Sequence, residues 1–323
     1  MIIDTQRLAK RYGRTDALVD LTMRVEPGEV FGFLGPNGAG KTTAVKLLLG
    51  LARPSGGGGS VLDAPLGDRI ARRRVGYLPE LFRYQPWLRA REVLELHVRL
   101  AGGLDRSRAA LDPILDEVGL LDRAADPVGG FSKGMQQRLG LGVALLGSPA
   151  LVILDEPTSA LDPVGRADVR AIIRRARDAG TTVFLNSHLL TEVERVCDRV
   201  AIVDHGRVLA SGRLDDLLGE SSVRIRASDL PTDARAGLAR FGRLAPTNDD
   251  GWLSIAGVSH DAIPDVVAAI VAAGGRVHAV DPGRATLEDR YFELITGRTE
   301  ATVRPAIVRA AIRPGSRRDA ATG

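Results

Sequence analysis

A chain of 323 residues is long enough for one large domain and a smaller one. Its composition, 44% hydrophobic and 26% charged, is that of a globular protein, and its single cysteine, Cys197, excludes a disulfide framework and a cysteine-based zinc site. The net charge of +4 indicates an anionic partner only weakly, because the basic residues are spread along the chain.

Neither a targeting segment nor a membrane-spanning segment is visible. The N-terminus has no long apolar stretch, and no uninterrupted apolar run approaches the length of about 20 residues that a bilayer requires. The lone cysteine fits a reducing compartment. We therefore expect a soluble, cytoplasmic protein.

The most informative segment is a glycine-rich loop at residues 35–42. It reads GPNGAGKT and fills every fixed position of the P-loop template G-x-x-x-x-G-K-[ST]. An apolar strand is predicted before it at residues 29–34, and a helix after it at residues 44–51. The glycines let backbone N–H groups approach phosphate oxygens, Lys41 is placed to reach the β- and γ-phosphates, and the Thr42 hydroxyl is placed to ligate Mg²⁺. The predicted nucleotide-binding residues here are Gly35, Pro36, Asn37, Gly38, Ala39, Gly40, Lys41, Thr42 and Thr43.

Two helices are predicted between residues 81 and 130. Residues 91–100 and 107–118 show helical apolar spacing and are bounded by glycines. Three aromatic residues, Phe82, Tyr84 and Trp87, precede them in a chain with only 4% aromatics. These aromatics form either a groove for a partner or the core of a small helical subdomain.

A further helix is predicted to begin after Ser132 and to run to about residue 146. Ser132 is a favourable N-cap residue, and the start of a helix has free N–H groups. The residues alone leave two interpretations open. The segment is either a capped amphipathic helix or a second anion-binding helix start directed at a phosphate.

Two carboxylates end the apolar strand predicted at residues 151–156. Asp155 is placed to hold Mg²⁺ through its water shell, and Glu156 is the candidate base that polarises the attacking water. The alternative is that they cap the following helix, which opens at Pro163.

A second strand, at residues 181–185, runs into His188. This histidine is predicted to lie at the carboxyl edge of the sheet, where its ring could contact a γ-phosphate. A structural role for a single histidine is the other interpretation.

Five motifs occur in order along the chain: GPNGAGKT, GYLPE, FSKGMQQR, LVILDEPTSALD and NSH. In their order and spacing they resemble the nucleotide-binding subunits of ATP-binding cassette (ABC) transporters, over residues 1–218. The resemblance implies an α/β P-loop NTPase fold with an antiparallel β subdomain and a helical insertion at about residues 81–130. In that family, two domains hold two ATP molecules head to tail.

The resemblance also implies roles for residues outside the P-loop. Ser132 and Gly134 would touch the γ-phosphate held by the partner chain, and Asp162 would lie at the dimer seam. Tyr12 would stack on the adenine ring, although it could equally be a surface aromatic residue beside Arg11 and Arg14.

The chain departs from the family pattern at two motifs. Lys133 and Met135 replace a glycine and a glutamine of the signature Leu-Ser-Gly-Gly-Gln, and Glu80 stands where the family has a metal-sensing glutamine. A carboxylate at position 80 can still ligate Mg²⁺ but adds negative charge beside the phosphates. Both departures look like those of the branch that exports drugs, antibiotics or polysaccharides.

A separate pattern begins after about residue 219. Predicted strands at 223–227, 242–245, 252–256 and 276–280 and helices at 233–241 and 261–273 follow the order βαββαβ, which suits a small ferredoxin-like α/β accessory domain over residues 219–298. A helix opening with Thr286, Leu287 and Glu288 is predicted to reach about residue 296. Residues 299–323 are predicted to form a disordered basic tail.

The sequence thus predicts an ATPase subunit of an export transporter, with ATP and Mg²⁺ as its cofactors. It would act as a homodimer or with a paired ATPase subunit, docked on a separate permease at the inner face of the cell membrane. The alternative is a soluble cassette ATPase acting on ribosomes or nucleic acid. Such proteins usually carry two cassettes, a long coiled-coil insertion or zinc-binding cysteines, which are not visible here, and the basic residues form no clear stripe, so no nucleic acid is expected.

Overall fold

The computed structural model describes residues 1–102, 107–159, 161–218, 222–244, 252–283, 286–288, 290–292 and 294–295. The strands are β1 (Ile3–Tyr12), β2 (Thr15–Val25), β3 (Val30–Leu34), β4 (Gly56–Val61), β5 (Ala64–Pro65), β6 (Val75–Leu78), β7 (Leu151–Asp155), β8 (Thr182–Ser187), β9 (Arg199–Asp204), β10 (Arg207–Arg213), β11 (Ser222–Ser228), β12 (Arg243–Leu244), β13 (Trp252–Ala256) and β14 (Arg276–Gly283). The helices are α1 (Lys41–Leu48), α2 (Arg69–Arg72), α3 (Ala90–Ala101), α4 (Arg108–Glu117), α5 (Lys133–Leu145), α6 (Pro163–Asp178), α7 (Leu190–Val196), α8 (Leu214–Leu218), α9 (Thr232–Gly237) and α10 (Ile263–Ala272).

Ten of these strands form one mixed sheet within the described residues, in the order β5-β4-β1-β2-β10-β9-β3-β8-β7-β6. The strands β9, β3, β8, β7 and β6 pair in parallel, whereas β1, β2, β4 and β5 pair antiparallel. The predicted antiparallel β subdomain is therefore confirmed. Every residue of β3, β7 and β8 is buried, which fits the apolar runs VFGFL in β3, LVIL in β7 and VFL in β8.

Apolar cores lie on both faces of this sheet. On one face, α1 packs against strands through a cluster that includes Phe31, Phe33 and Phe184, whose rings lie 5.3–5.9 Å apart between centroids. On the other face, a larger cluster joins the sheet to helices α3 to α7. The sheet thus lies between two apolar layers, and packing on both faces positions the carboxyl ends of its parallel strands.

The predicted helical insertion is confirmed as α3 and α4, each within one residue of its expected bounds. Arginines from the neighbouring helices hold the C-terminal end of α4. Arg138 donates to the carbonyl oxygens of Val118 (3.3 Å) and Gly119 (3.1 Å), and Arg175 donates to that of Glu117 (2.7 Å). Because they satisfy the last carbonyls of α4, these arginines attach the insertion to α5 and α6.

The aromatic residues before α3 divide between the two predicted roles. Phe82 and Tyr84 pack against the larger core with their rings 5.4 Å apart, and burial raises the pKa of the Tyr84 phenol. Trp87, by contrast, is 73% exposed. Phe82 and Tyr84 therefore belong to the core of the helical subdomain, and Trp87 alone is available to a partner.

Strands β11 to β14 with α9 and α10 follow the predicted order βαββαβ. They form a separate antiparallel sheet in the order β12-β13-β11-β14 around their own apolar core. This order is that of a ferredoxin-like fold, in which the two central strands are the first and the third. The first helix is shorter than predicted, since α9 ends at Gly237 and a 3₁₀ turn, Leu238–Arg240, follows it. Residues 247–251, whose sequence TNDDG is typical of a turn between strands, lie outside the described residues.

A final helical segment follows the small sheet; we call residues 287–288, 290–292 and 294–295 the C-terminal helix. Leu287 is fully buried in the larger core on the ten-stranded sheet, and Tyr291 and Leu294 pack against the same core. The C-terminal helix therefore packs on the larger sheet. The predicted basic tail at 299–323 lies outside the described residues.

None of the helices in the described part of the chain has the length and apolar character needed to cross a membrane.

Candidate nucleotide-binding site

The P-loop joins β3 to α1 along a path that only glycine permits at two positions. A Cβ on Gly35 would lie 2.2 Å from the carbonyl oxygen of Val203, and a Cβ on Gly40 would lie 2.4 Å from that of Ala17. Gly40 also has φ of +99°, in the left-handed region. The helix begins at Lys41, three residues earlier than predicted, and no side chain caps it. The N–H groups of its first turn are therefore open to an anion.

Lys41 is buried beneath this loop with only 7% of its surface exposed. Its Nζ donates to the carbonyl oxygens of Gly35 (2.7 Å) and Pro36 (3.4 Å). Burial lowers the pKa of Lys41, and the nearby carboxylates of Glu156, Asp155 and Glu80 oppose that shift. The carbonyl oxygens of Gly35 and Pro36 thus hold the ammonium group at the loop, and phosphate oxygens can replace them as acceptors.

A cleft of about 360 Å³, which we call the nucleotide cleft, opens over the P-loop. The predicted site residues that line it are Pro36, Asn37, Gly38, Gly40, Lys41, Thr42, Thr43, Glu80, Asp155, Glu156 and His188. Sequence reasoning missed Thr15, Asp16, Ala17 and Asn186, which also line it. Asn186 sits in the NSH motif and could have been found there, whereas Thr15 to Ala17 carry no signal besides their closeness to Tyr12.

Asp155 ends β7, and its buried carboxylate is paired with an amide from the neighbouring strand. Asn186 Nδ2 donates to Asp155 Oδ1 at 2.5 Å. Burial raises the pKa of Asp155; the hydrogen bond from Asn186 and the charge of Lys41 oppose the shift, while Glu80 and Glu156 add to it. Three carboxylates therefore share a cleft with one lysine.

These residues fit a hard divalent cation. The oxygens of Thr42, Glu80 and Asp155 face one cleft, and oxygen is the ligand that Mg²⁺ prefers. The buried Oδ1 of Asn186 has no hydrogen-bond partner, so an unsatisfied oxygen also remains beside them.

Glu156 follows Asp155 in a strained conformation, with φ of +53°. Its N–H donates to the carbonyl oxygen of Asn186 at 2.9 Å, which fixes the backbone there. Its carboxylate lies 2.8 Å from His188 Nδ1 and accepts a hydrogen bond from Ser187 Oγ at 3.4 Å. The alternative that these carboxylates cap the next helix is wrong, because Asp162 is the residue that caps α6.

Ser132, Gly134 and Asp162 do not line the cleft of their own chain, and neither do Gly35 and Ala39 of the P-loop. Ser132 is exposed at the start of α5, where its Oγ accepts from the N–H of Met135 at 3.2 Å. A Cβ on Gly134 would meet nothing nearer than Ser132 Oγ at 3.9 Å, so open space surrounds this glycine. Asp162 caps α6 by accepting from the N–H of Gly165 at 2.8 Å.

Tyr12 also lies outside the lining of the cleft. It ends β1 with 47% of its surface exposed, and Lys10 Nζ lies 4.8 Å from its ring centroid. Tyr12 pairs with Thr15 across the β1–β2 turn, and Thr15 does line the cleft. Tyr12 is therefore half exposed, and its strand partner Thr15 lines the cleft.

A P-loop between a parallel strand and a helix, with two carboxylates and a histidine at the ends of neighbouring parallel strands, defines a P-loop ATPase. The family described as ABC transporter matches residues 18–159. An uncharacterized ABC transporter ATP-binding protein of Nostoc sp. is 40% identical over 86% of this chain and 83% of its own length. The chain belongs to the ABC transporter family, a family of ATPases, and is an ATP-binding subunit of it.

Two further comparisons bear on this assignment. A solved structure of an ATP-binding subunit of an ABC transporter superposes with a TM-score of 0.61 at 34% identity, covering 67% of this chain and 92% of the other. The Nod factor export ATP-binding protein I of Burkholderia thailandensis is 38% identical over 74% of this chain and 81% of its own length. The relatives support the transporter interpretation and give no support to a ribosome-associated or nucleic-acid-associated role.

Proposed function

We propose that two copies of this chain bind two ATP molecules head to tail and that each hydrolyses ATP with groups from both chains. The observation that carries the proposal is that the nucleotide cleft holds the P-loop, Glu156 and His188, whereas Ser132 and Asp162 lie exposed elsewhere on the same chain. The open N-terminus of α5, which no acidic residue of its own first turn neutralises, suits a phosphate that another chain presents. A two-fold dimer would bring each cleft to the partner's α5.

The chain's own residues account for the chemistry. The P-loop N–H groups and Lys41 would bind the phosphates, and Glu156 would polarise the attacking water. His188 contacts Glu156 through Nδ1, so the ring would orient this carboxylate while its edge faces the γ-phosphate. Tyr12, which is half exposed, would stack on the adenine ring.

Thr42, Asp155 and Glu80 would hold Mg²⁺, which would neutralise charge on the phosphate oxygens. The shared cleft of these three residues supports this assignment, because the carboxylates of Glu80, Asp155 and Glu156 face one lysine, Lys41, there.

The same subunit would drive export through a separate membrane permease. Leu81, directly after Glu80, is 87% exposed, and Trp87, further along the same segment, is 73% exposed. Both side chains would contact the permease. The Nod factor export relative, together with Lys133, Met135 and Glu80, supports the export direction. Closure of the dimer on ATP, and its reopening after hydrolysis, would bias the permease between two states. The subunit would then lie at the inner face of the cell membrane.

The division of the chain belongs to the same proposal. Residues 1–218 would form the ATPase domain and residues 219–298 an accessory domain. The separate apolar core of strands β11 to β14 supports a boundary near residue 219.

The experiment is sedimentation of Glu156→Gln with and without Mg-ATP. Glutamine keeps the shape but cannot act as a base, so we expect a shift from monomer to dimer with ATP and none without it. The control is the Glu156→Gln/Ser132→Arg double variant, in which arginine blocks the trans contact; it should bind ATP and stay monomeric. ATP-dependent dimers in both variants would contradict the head-to-tail arrangement.

A further inference from the structure

The groups Glu156 and His188 come from neighbouring strands, and each strand continues into a helix. Strands β7 and β8 pair in parallel with Asp155 opposite Asn186. After Glu156 the chain turns and enters α6, which is capped by Asp162; after His188 it enters α7. The contact between Glu156 and His188 is therefore linked, through the chain segments that follow these residues, to the packing of α6 against α7.

A buried ion pair joins these two helices. Arg170 Nη1 lies 2.5 Å from Glu192 Oε2, and their side chains are only 14% and 7% exposed. A second bond runs between the same helices, from Arg174 Nη2 to the carbonyl oxygen of Arg195 at 2.6 Å. Both arginines lie on α6, and both partners lie on α7. Helix α7 is thus fixed to α6 by charge and hydrogen bonding as well as by apolar packing.

The opposite side of α7 has its own polar contact. Glu194 Oε2 accepts a hydrogen bond from the N–H of Leu287, the first residue of the C-terminal helix, at 3.0 Å. Glu192 and Glu194 are thus two carboxylates of one helix with different partners. This difference supplies a matched pair of variants.

Helix α7 has seven residues, too few to be stable on its own, so its position depends on the contacts that it makes. His188 lies two residues before α7. The residue between them, Leu189, is fixed to the helix, because its carbonyl oxygen accepts hydrogen bonds from the N–H groups of Glu192 and Val193. A displacement of α7 would therefore displace His188.

We infer that Arg170 and Glu192 are positioning residues that hold His188 against Glu156. The inference rests on the proposed function, in which His188 and Glu156 act on the same γ-phosphate. Neither Arg170 nor Glu192 lines the nucleotide cleft. Its loss should therefore slow turnover while leaving ATP binding nearly unchanged.

The test measures kcat and KM for ATP of the full-length chain with Glu192→Gln. Because misplacement of reacting groups by about 1 Å can cost about a hundredfold in rate, we expect kcat to fall by about tenfold to a hundredfold. KM for ATP should stay within about twofold, since Lys41 and the P-loop are untouched. The control is Glu194→Gln, the same chemical change in the same helix, whose amide oxygen can still accept from Leu287; it should turn over at the wild-type rate.

A second measurement separates positioning from general damage to the fold. In the His188→Ala background, Glu192→Gln should lower kcat by less than about twofold, because a positioning residue has no effect once the group that it positions is gone. An equal fall in both backgrounds would overturn the inference. So would a wild-type kcat for Glu192→Gln.

An apolar double variant covers the case in which a single variant folds poorly. Arg170→Met/Glu192→Leu removes both buried charges and so avoids leaving one unpaired. It should fold stably and remain slow; restored turnover would overturn the inference. Glu156→Gln in the same assay separates failure of the proposed function from failure of the positioning role. If Glu156→Gln hydrolyses ATP at the normal rate, the proposed function fails. If Glu156→Gln is inactive and Glu192→Gln has the normal rate, only the positioning role is refuted.

Discussion

Replacing Leu287 with alanine should destabilise the ATPase domain, although this residue lies after β14, the last strand of the accessory domain, in sequence. Leu287 is fully buried in the larger core on the helical side of the main sheet, and its N–H donates to Glu194 on α7. If the C-terminal helix is an integral part of that core, removing the leucine side chain leaves a cavity inside the ATPase domain.

The cost follows from the burial. A leucine-to-alanine change in a packed core costs about 2–5 kcal/mol, from lost transfer free energy and the residual cavity. In a domain of about 150–250 residues, each kcal/mol lowers Tm by about 2–4 °C. For a loss of about 3 kcal/mol we therefore expect Tm of Leu287→Ala to fall by about 6–12 °C.

The assay is thermal unfolding of the full chain followed by circular dichroism, with Leu100→Ala as the control. Leu100 lies on α3 and is 75% exposed, so the same substitution there should shift the free energy of unfolding by less than about 0.5 kcal/mol. If Leu287→Ala and Leu100→Ala unfold at the same temperature, the C-terminal helix contributes nothing to the ATPase core. That result would refute the packing argument.

Three further variants probe the nucleotide cleft. Lys41→Ala should raise the Kd for ATP by at least about a hundredfold, because charge-assisted bonds to phosphate are lost; titration calorimetry showing unchanged affinity would contradict the role of Lys41. Gly35→Ala should also abolish ATP binding, because its Cβ would lie 2.2 Å from the carbonyl oxygen of Val203, whereas Gly58→Ala, with nothing within 4 Å, should bind normally. Asp155→Asn should raise the Tm of the nucleotide-free protein and abolish turnover. Burial in the fold raises the pKa of Asp155, so the protonated carboxyl group favours the folded state. This contribution to stability is complete below the pKa of Asp155 in the unfolded chain and is lost as pH rises through its pKa in the folded protein. The gain in Tm of Asp155→Asn over the wild type should therefore grow from acidic to neutral pH, and a gain that shrinks over this range would contradict the argument.

The chemistry of the cleft was predictable because it lies in short segments. The P-loop, Asp155 with Glu156, and His188 are each fixed by a local pattern, in which an apolar strand ends at polar residues. Local spacing also gave the order βαββαβ of the accessory domain. In both regions the information lies within about ten residues of sequence, where periodicity is strongest.

The residues that were missed depend on pairing between distant parts of the chain. Thr15, Asp16 and Ala17 reach the cleft because the turn between β1 and β2 is held against the P-loop region, where Val19 and Asp20 donate to the carbonyl oxygen of Gly206. No pattern within residues 12–20 indicates that contact.

The C-terminal helix is a similar case. Its start near Thr286 was predicted, but its contact with α7, more than ninety residues earlier in the chain, was not. Periodicity identifies an apolar face and does not identify the surface that covers it.

The order of strands in the sheet explains how the separate motifs become one site. The motifs occur along the chain after β3, β7 and β8, but in the sheet β8 lies between β3 and β7. Strand β8 therefore borders both β3, which precedes the P-loop, and β7, which ends at Asp155. The residues at the end of β8 lie beside those at the end of β7. Asn186 pairs with Asp155, and His188 pairs with Glu156, as this position requires. A displacement of α7, which follows β8, would therefore change the contact between His188 and Glu156, and this is the step through which the proposed positioning role of Arg170 and Glu192 would act.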